Sequence, residues 1–184
     1  KAALISNTTA DNNTAVGYIA LQNNTTGTQN TAVGSLALDA NIAANNNTGI
    51  GYQALGATNG ASASQNTAVG AHSLNTNTSG AENTAVGYET LFDNTTGSGN
   101  VALGAYALTD NTTASNNVSV GYFSLYKNTT GASNVAIGRS ALRNSTTASN
   151  NTAVGFDALN SNTTAENNTA VGKGALVANT TGHS

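Results

Sequence analysis

A five-residue pattern returns ten times in this 184-residue chain: Asn, then Thr or Val, a small residue, an aliphatic residue, and Gly. The closing glycines are Gly17, Gly34, Gly51, Gly70, Gly87, Gly104, Gly121, Gly138, Gly155 and Gly172, so every step is 17 residues except one of 19. A Leu follows each glycine by four residues and an Asn precedes it by four. Asn30, Gly34 and Leu38 therefore recur as Asn83, Gly87 and Leu91, and again as Asn134, Gly138 and Leu142. A short, strict period means one small unit stacked on copies of itself, with these residues in columns along the stack. Positions below are counted from each repeat's glycine, taken as 0.

Seventeen residues are too few for a helical hairpin and suit one turn of a solenoid. The triplet before each glycine is β-branched and alternating, the pattern of a short strand. The expected fold is all-β: a parallel β-solenoid (β-roll) of ten 17-residue coils. The coils begin at Asn13, Asn30, Asn47, Asn66, Asn83, Asn100, Asn117, Asn134, Asn151 and Asn168, with a partial repeat over residues 1–12. Residues 1–184 form a single array that starts and stops inside repeats, so we expect a window on a longer chain, with any anchor or tip domain outside it.

Alternation assigns each strand two faces. Positions −3 (Thr or Val) and −1 (Val, Ile or Leu) are expected to face the core, with Leu at +4 as a second inward anchor. Positions −2 and 0 carry only Ala, Gly or Ser, and a face so bare suggests that another backbone approaches closely. Two apolar anchors are few for the chain entropy of 17 ordered residues. Packing three bare faces about a common axis would supply the missing burial, which points to a homotrimer.

The remaining positions read as corners. Asn-Thr-Thr at +7 to +9 suits a turn, and stacked Asn side chains can bond along the rod as a ladder. At the next corner, Ala at +10 goes with Asn at +12 in five repeats, and Gly at +10 goes with Gln, Glu, Gly or Ser at +12 in four. One positive-φ residue per corner, supplied by Gly at +10 or otherwise by Asn at +12, would explain that exchange. The two extra residues of the long repeat fall within Thr58-Asn59-Gly60-Ala61-Ser62 and should bulge outward.

Composition narrows the function. Charged residues are 7% of the chain, against roughly 25% in average proteins. A net charge of −3 leaves no basic patch for nucleic acid, and no apolar run is long enough for membrane insertion of this segment. Without cysteine there is no disulfide framework or thiolate metal site. His72 and His183 lack partner carboxylates and are expected at the surface. The acids are scattered over different repeat positions. No enzyme activity, cofactor or metal is expected.

Position +1 alternates strictly between aromatic and non-aromatic residues, with Tyr18, Tyr52, Tyr88, Tyr122 and Phe156 on alternate repeats. Two accounts remain open. Each ring shields backbone beside a smaller neighbour, or the column is a surface contact for a receptor glycan, its rings two coil spacings apart. The Thr columns at +8 and +9 raise an ice-binding alternative. Sequons such as Asn94-Thr95-Thr96 and Asn162-Thr163-Thr164 follow either from composition or from glycosylation.

Asn-Thr-Ala-Val-Gly at 30–34, 66–70 and 83–87, and Asn-Val-Ala-Ile-Gly at 134–138, resemble the YadA-like head repeats of trimeric autotransporter adhesins. Similar runs occur in phage tail-fibre proteins. The present repeat is longer, owing to its Asn-Thr-Thr segment. The resemblance implies a trimeric, left-handed parallel β-roll at a cell or virion surface. The expected function is the structural rod or head of an extracellular adhesin or viral tail fibre. Such a rod mediates attachment to a host-surface or matrix receptor, a glycan among the candidates. A surface-filament subunit and an ice-binding β-solenoid are the alternatives.

Overall fold

The computed structural model describes residues 2–182. Ten three-residue strands follow one another: β1 (Thr14–Val16), β2 (Thr31–Val33), β3 (Thr48–Ile50), β4 (Thr67–Val69), β5 (Thr84–Val86), β6 (Val101–Leu103), β7 (Val118–Val120), β8 (Val135–Ile137), β9 (Thr152–Val154) and β10 (Thr169–Val171). They form one parallel sheet in chain order. The protein is an all-β solenoid of about nine turns, with no helix among the described residues. Equivalent residues pair directly, Thr31 with Thr48 and Val33 with Ile50. The long repeat does not disturb this register: Thr48 pairs with Thr67 and Ile50 with Val69, while Asn59, Ala61 and Ser62 lie exposed.

The strand faces are the reverse of the sequence expectation. Position −2, with Ala32, Ala68, Ala85 and Ala102, is fully buried. Position −1 points outward, leaving Ile50, Val86, Leu103 and Ile137 between 36% and 39% exposed. The reason is interior width. Leu38 of one coil already lies over position −2 of the next: a methyl group built on Gly49 would stand 3.3 Å from Leu38 Cγ and 3.1 Å from the Ala54 carbonyl. Alanine just fits against a leucine there, and valine does not. The core is accordingly a file of leucines at +4, flanked by alanines at −2 and +3.

The bare column at position 0 does meet another backbone, but that backbone belongs to the same chain. A Cβ on Gly87 would lie 2.7 Å from the carbonyl carbon of Gly104, and from Gly17 to Gly155 every glycine of the column would bring one within 3.0 Å of the coil that follows. Glycine is needed for the closeness of successive coils. The bareness of this column is therefore accounted for within one chain.

The proposed exchange between +10 and +12 is also corrected. Position +12 has positive φ whichever residue precedes it, from Asn46 (58°) and Asn116 (61°) to Gln29 (60°) and Glu82 (60°). Gly27, Gly80, Gly97 and Gly131 at +10 do not. In these coils a Cβ at +10 would press on the next coil's +10 carbonyl and the Asn amide at +7, and where the position does carry a Cβ it is alanine, as at Ala44, Ala114 and Ala148. Two more left-handed corners recur at +2 and +4, including Tyr106 (59°), Leu38 (51°) and Leu91 (50°). This region is costly for side-chain-bearing residues. Here it turns alternate amides along the rod: Leu38 N–H donates to the Ala54 carbonyl ahead, and Leu36 N–H to the Tyr18 carbonyl behind, each at 3.0 Å.

Candidate interaction faces

The ladder residues are interior and fully bonded. The Asn83 side-chain carbonyl accepts the Asn100 backbone N–H at 3.0 Å, and its amide donates to the Gly97 carbonyl across the coil at 2.9 Å. Asn30 and Asn134 repeat this arrangement, and Leu38, Leu91 and Leu142 are fully buried. A second amide ladder runs through +7, where Asn94 donates to Asn77 at 2.9 Å, Asn111 to Asn94 at 2.8 Å and Asn128 to Asn111 at 3.0 Å. It breaks where Thr58 and Ser145 replace Asn. The preceding Oδ1 atoms, of Asn41 and Asn128, are then buried without a partner, as is Ser145 Oγ. Buried amides of this kind at Asn94 and Asn162 leave those two sequons no room for a glycan in the folded rod.

The strand side presents two outward columns, Thr or Val at −3 and an aliphatic residue at −1, repeated ten times without one charged residue. Among the described residues the −1 column is exposed at six positions and partly exposed at the other four. On the corner opposite, the +8 threonines turn their hydroxyls onto the next coil's carbonyl, Thr95 to Thr112 at 2.9 Å and Thr129 to Thr146 at 3.0 Å. Those hydroxyl hydrogens are thereby committed to the rod itself. Only the +9 column, Thr96, Thr113 and Thr130, stands exposed.

The third side, from +1 to +6, gathers the chemistry. Tyr52, Tyr88 and Tyr122 are 44–46% exposed, and Tyr18 and Phe156 are exposed as well. The spaces between them are filled from position +2. His72 stands edge-on between Tyr52 (5.1 Å between centroids) and Tyr88 (6.3 Å), and Tyr106 between Tyr88 (5.4 Å) and Tyr122 (6.0 Å). Phe123 stacks on Tyr106 at 5.0 Å and meets Tyr126 edge-on at 4.9 Å. Widely spaced rings thus become a continuous ribbon. His72 is half-buried within it and not a free surface residue; His183 lies outside the described residues. The +1 column taken alone conceals the ribbon. Its signal is the pair +1/+2, because Ala71 precedes His72 and Ala105 precedes Tyr106.

No family model, curated protein or solved structure matches the chain.

Charge follows the ribbon. Glu89, Asp93 and Asp110 lie along its centre, and Lys127, Arg139, Arg143 and Lys173 toward one end. Arg143 sits 4.9 Å over the Phe123 ring, and Arg139 and Lys173 approach Phe156 at 5.4 and 5.8 Å. Partial burial, then the nearby Glu89, raises Asp93 above its ordinary value. Asp110 is raised by burial and by Asp93, with Lys127 opposing. Tyr88 is raised chiefly by its hydrogen bond to Glu89. No group of three His, Cys, Asp or Glu among the described residues could hold a metal, and they enclose no pocket.

Proposed function

We propose that this chain is the structural rod of an extracellular adhesin or viral tail fibre, assembled as a homotrimer and mediating attachment to a surface. The observation that carries the reading is the strand side, an uncharged parallel sheet whose aliphatic column is exposed at six of its ten positions and partly exposed at the other four. Exposed apolar faces this long are uncommon on solitary soluble chains and mark association sites. The apolar side that assembles is thus −3 and −1, in place of the bare glycine column. The motif resemblance to adhesin heads and tail fibres points to three copies around one axis. The described residues contain no helix long and apolar enough to cross a membrane, and that agrees with a rod held outside one.

Molar mass in solution tests this. Three chains of 18.2 kDa give about 55 kDa. Val86→Lys with Val120→Lys should return the protein to a single-chain mass, because a lysine pair cannot be desolvated on a shared apolar axis. A single-chain mass for the unaltered protein would sink the reading. The Thr residues at −3, spaced at one strand spacing of about 4.8 Å and interrupted by Val101, Val118 and Val135, favour the ice-binding rod as a second reading. Thermal hysteresis in a single-chain sample would select it.

A further inference from the structure

Resting on the reading of a surface rod, we propose that the ring ribbon from Tyr52 to Tyr126 is its recognition surface, and that the occupant is an extended polysaccharide lying along the rod axis. The rings are not needed to build the coil. Coil 2 turns the same corner with Ser35 and Leu36 (φ 61°) and coil 8 with Arg139 and Ser140 (φ 58°), against 59° at Tyr106. Seven of the nine aromatic residues nevertheless fall in this one strip, on one side of the rod. A residue type that the fold does not require, concentrated on one exposed strip, is explained by what binds there.

The form of the strip selects the partner. It encloses no pocket, so it suits a polymer and not a small ligand that must be enclosed. It runs lengthwise over successive coils, widening from the single ring of Tyr52 to Tyr122, Phe123 and Tyr126 abreast, a shape that suits an extended chain laid along the rod. Tyr52, Tyr88 and Tyr122 recur on alternate coils, about 9.6 Å apart at two strand spacings, close to the length of two linked pyranose rings. Ring faces attract the polarised C–H bonds of a sugar. The carboxylates of Glu89, next in sequence to Tyr88, and of Asp93 and Asp110 lie on the same side of the rod to accept from sugar hydroxyls.

Affinity electrophoresis of the 184-residue chain tests the proposal, in gels holding soluble xylan, mixed-linkage β-glucan, dextran or polygalacturonate, with gelatin as the protein comparison. The chain should be retarded by at least one polysaccharide. Tyr88→Ser with Tyr122→Ser should weaken that retardation about tenfold. Tyr18→Ser, on a ring outside the ribbon, should leave it unchanged. Circular dichroism melts confirm that the variants keep their coils. Retardation by none of the four polysaccharides, retardation that survives the double variant, or retardation by gelatin alone overturns the proposal. Light scattering on the same samples separates the two readings: a trimer that is not retarded loses only the glycan site, and a retarded monomer loses only the assembly.

Discussion

The strand side and the ring side are built by the same 17-residue coil, yet they differ in what varies along the rod. On the strand side every repeat offers Thr or Val and then Val, Ile or Leu, with no charge. On the ring side, position +2 alone runs through Ile19, Leu36, Gln53, His72, Glu89, Tyr106 and Phe123. The difference follows from packing. Outward strand positions sit in an in-register sheet where β-branched side chains pack on their own kind. The +1 and +2 side chains project from a sharp corner, where the backbone bonds to neighbouring coils whatever side chain is present. The uniform side is suited to contacting copies of itself, and the variable side to contacting something else.

The largest expected effect tests the orientation on which this contrast depends. Gly87→Ala forces a methyl onto the Gly104 carbonyl at a φ of 138° and should cost about 3 kcal/mol or more. Ala85→Leu, directed into the filled interior, should cost about 1–3 kcal/mol. Val86→Ala, on the outer surface of the same strand, should cost about 0.5 kcal/mol or less in a dissociated chain. Denaturant melts that ranked Val86→Ala above Ala85→Leu would put the aliphatic column back inside. A smaller effect sharpens the contrast from within. Ser145→Asn supplies an amide donor to the orphaned Asn128 Oδ1 and an acceptor for Asn162, and should raise stability by about 1 kcal/mol without altering either outer side. An unchanged melt would mean that the +7 ladder adds little.

The smallest effect is electrostatic and confined to the ring side. Asp93 and Asp110 are raised above 3.8 in the folded rod, so the folded state binds protons more tightly than the unfolded one. Their contribution is fully present below pH 3.8 and is lost as pH rises through the raised folded value. Asp93→Asn should therefore stabilise the rod slightly at neutral pH and have no effect near pH 3, read from melts across that range. A variant equally stabilised at both pH values would show that charge is not the cause.

The period, the parallel stacking, the columns of Asn, Gly and Leu and the harmless insertion after Thr58 were all legible in the sequence, because a strict repeat makes each residue the neighbour of its own copies. The ring column was legible only in half. Tyr52, Tyr88 and Tyr122 stand out at one position, while His72 and Tyr106 fill the gaps from another, and only a left-handed corner at +2 turns them into line. Positive φ was misread for a related reason. Gly and Asn advertise it, but here Leu, Tyr and His adopt it, since inter-coil hydrogen bonds offset the strain. By itself the sequence determined that the strand has a small face and a large one; alternation guarantees that much. Only the tertiary structure decided which face is inside. An interior already occupied by a file of leucines has width left for alanine and none for valine, so the larger residues turn outward, where a partner can reach them.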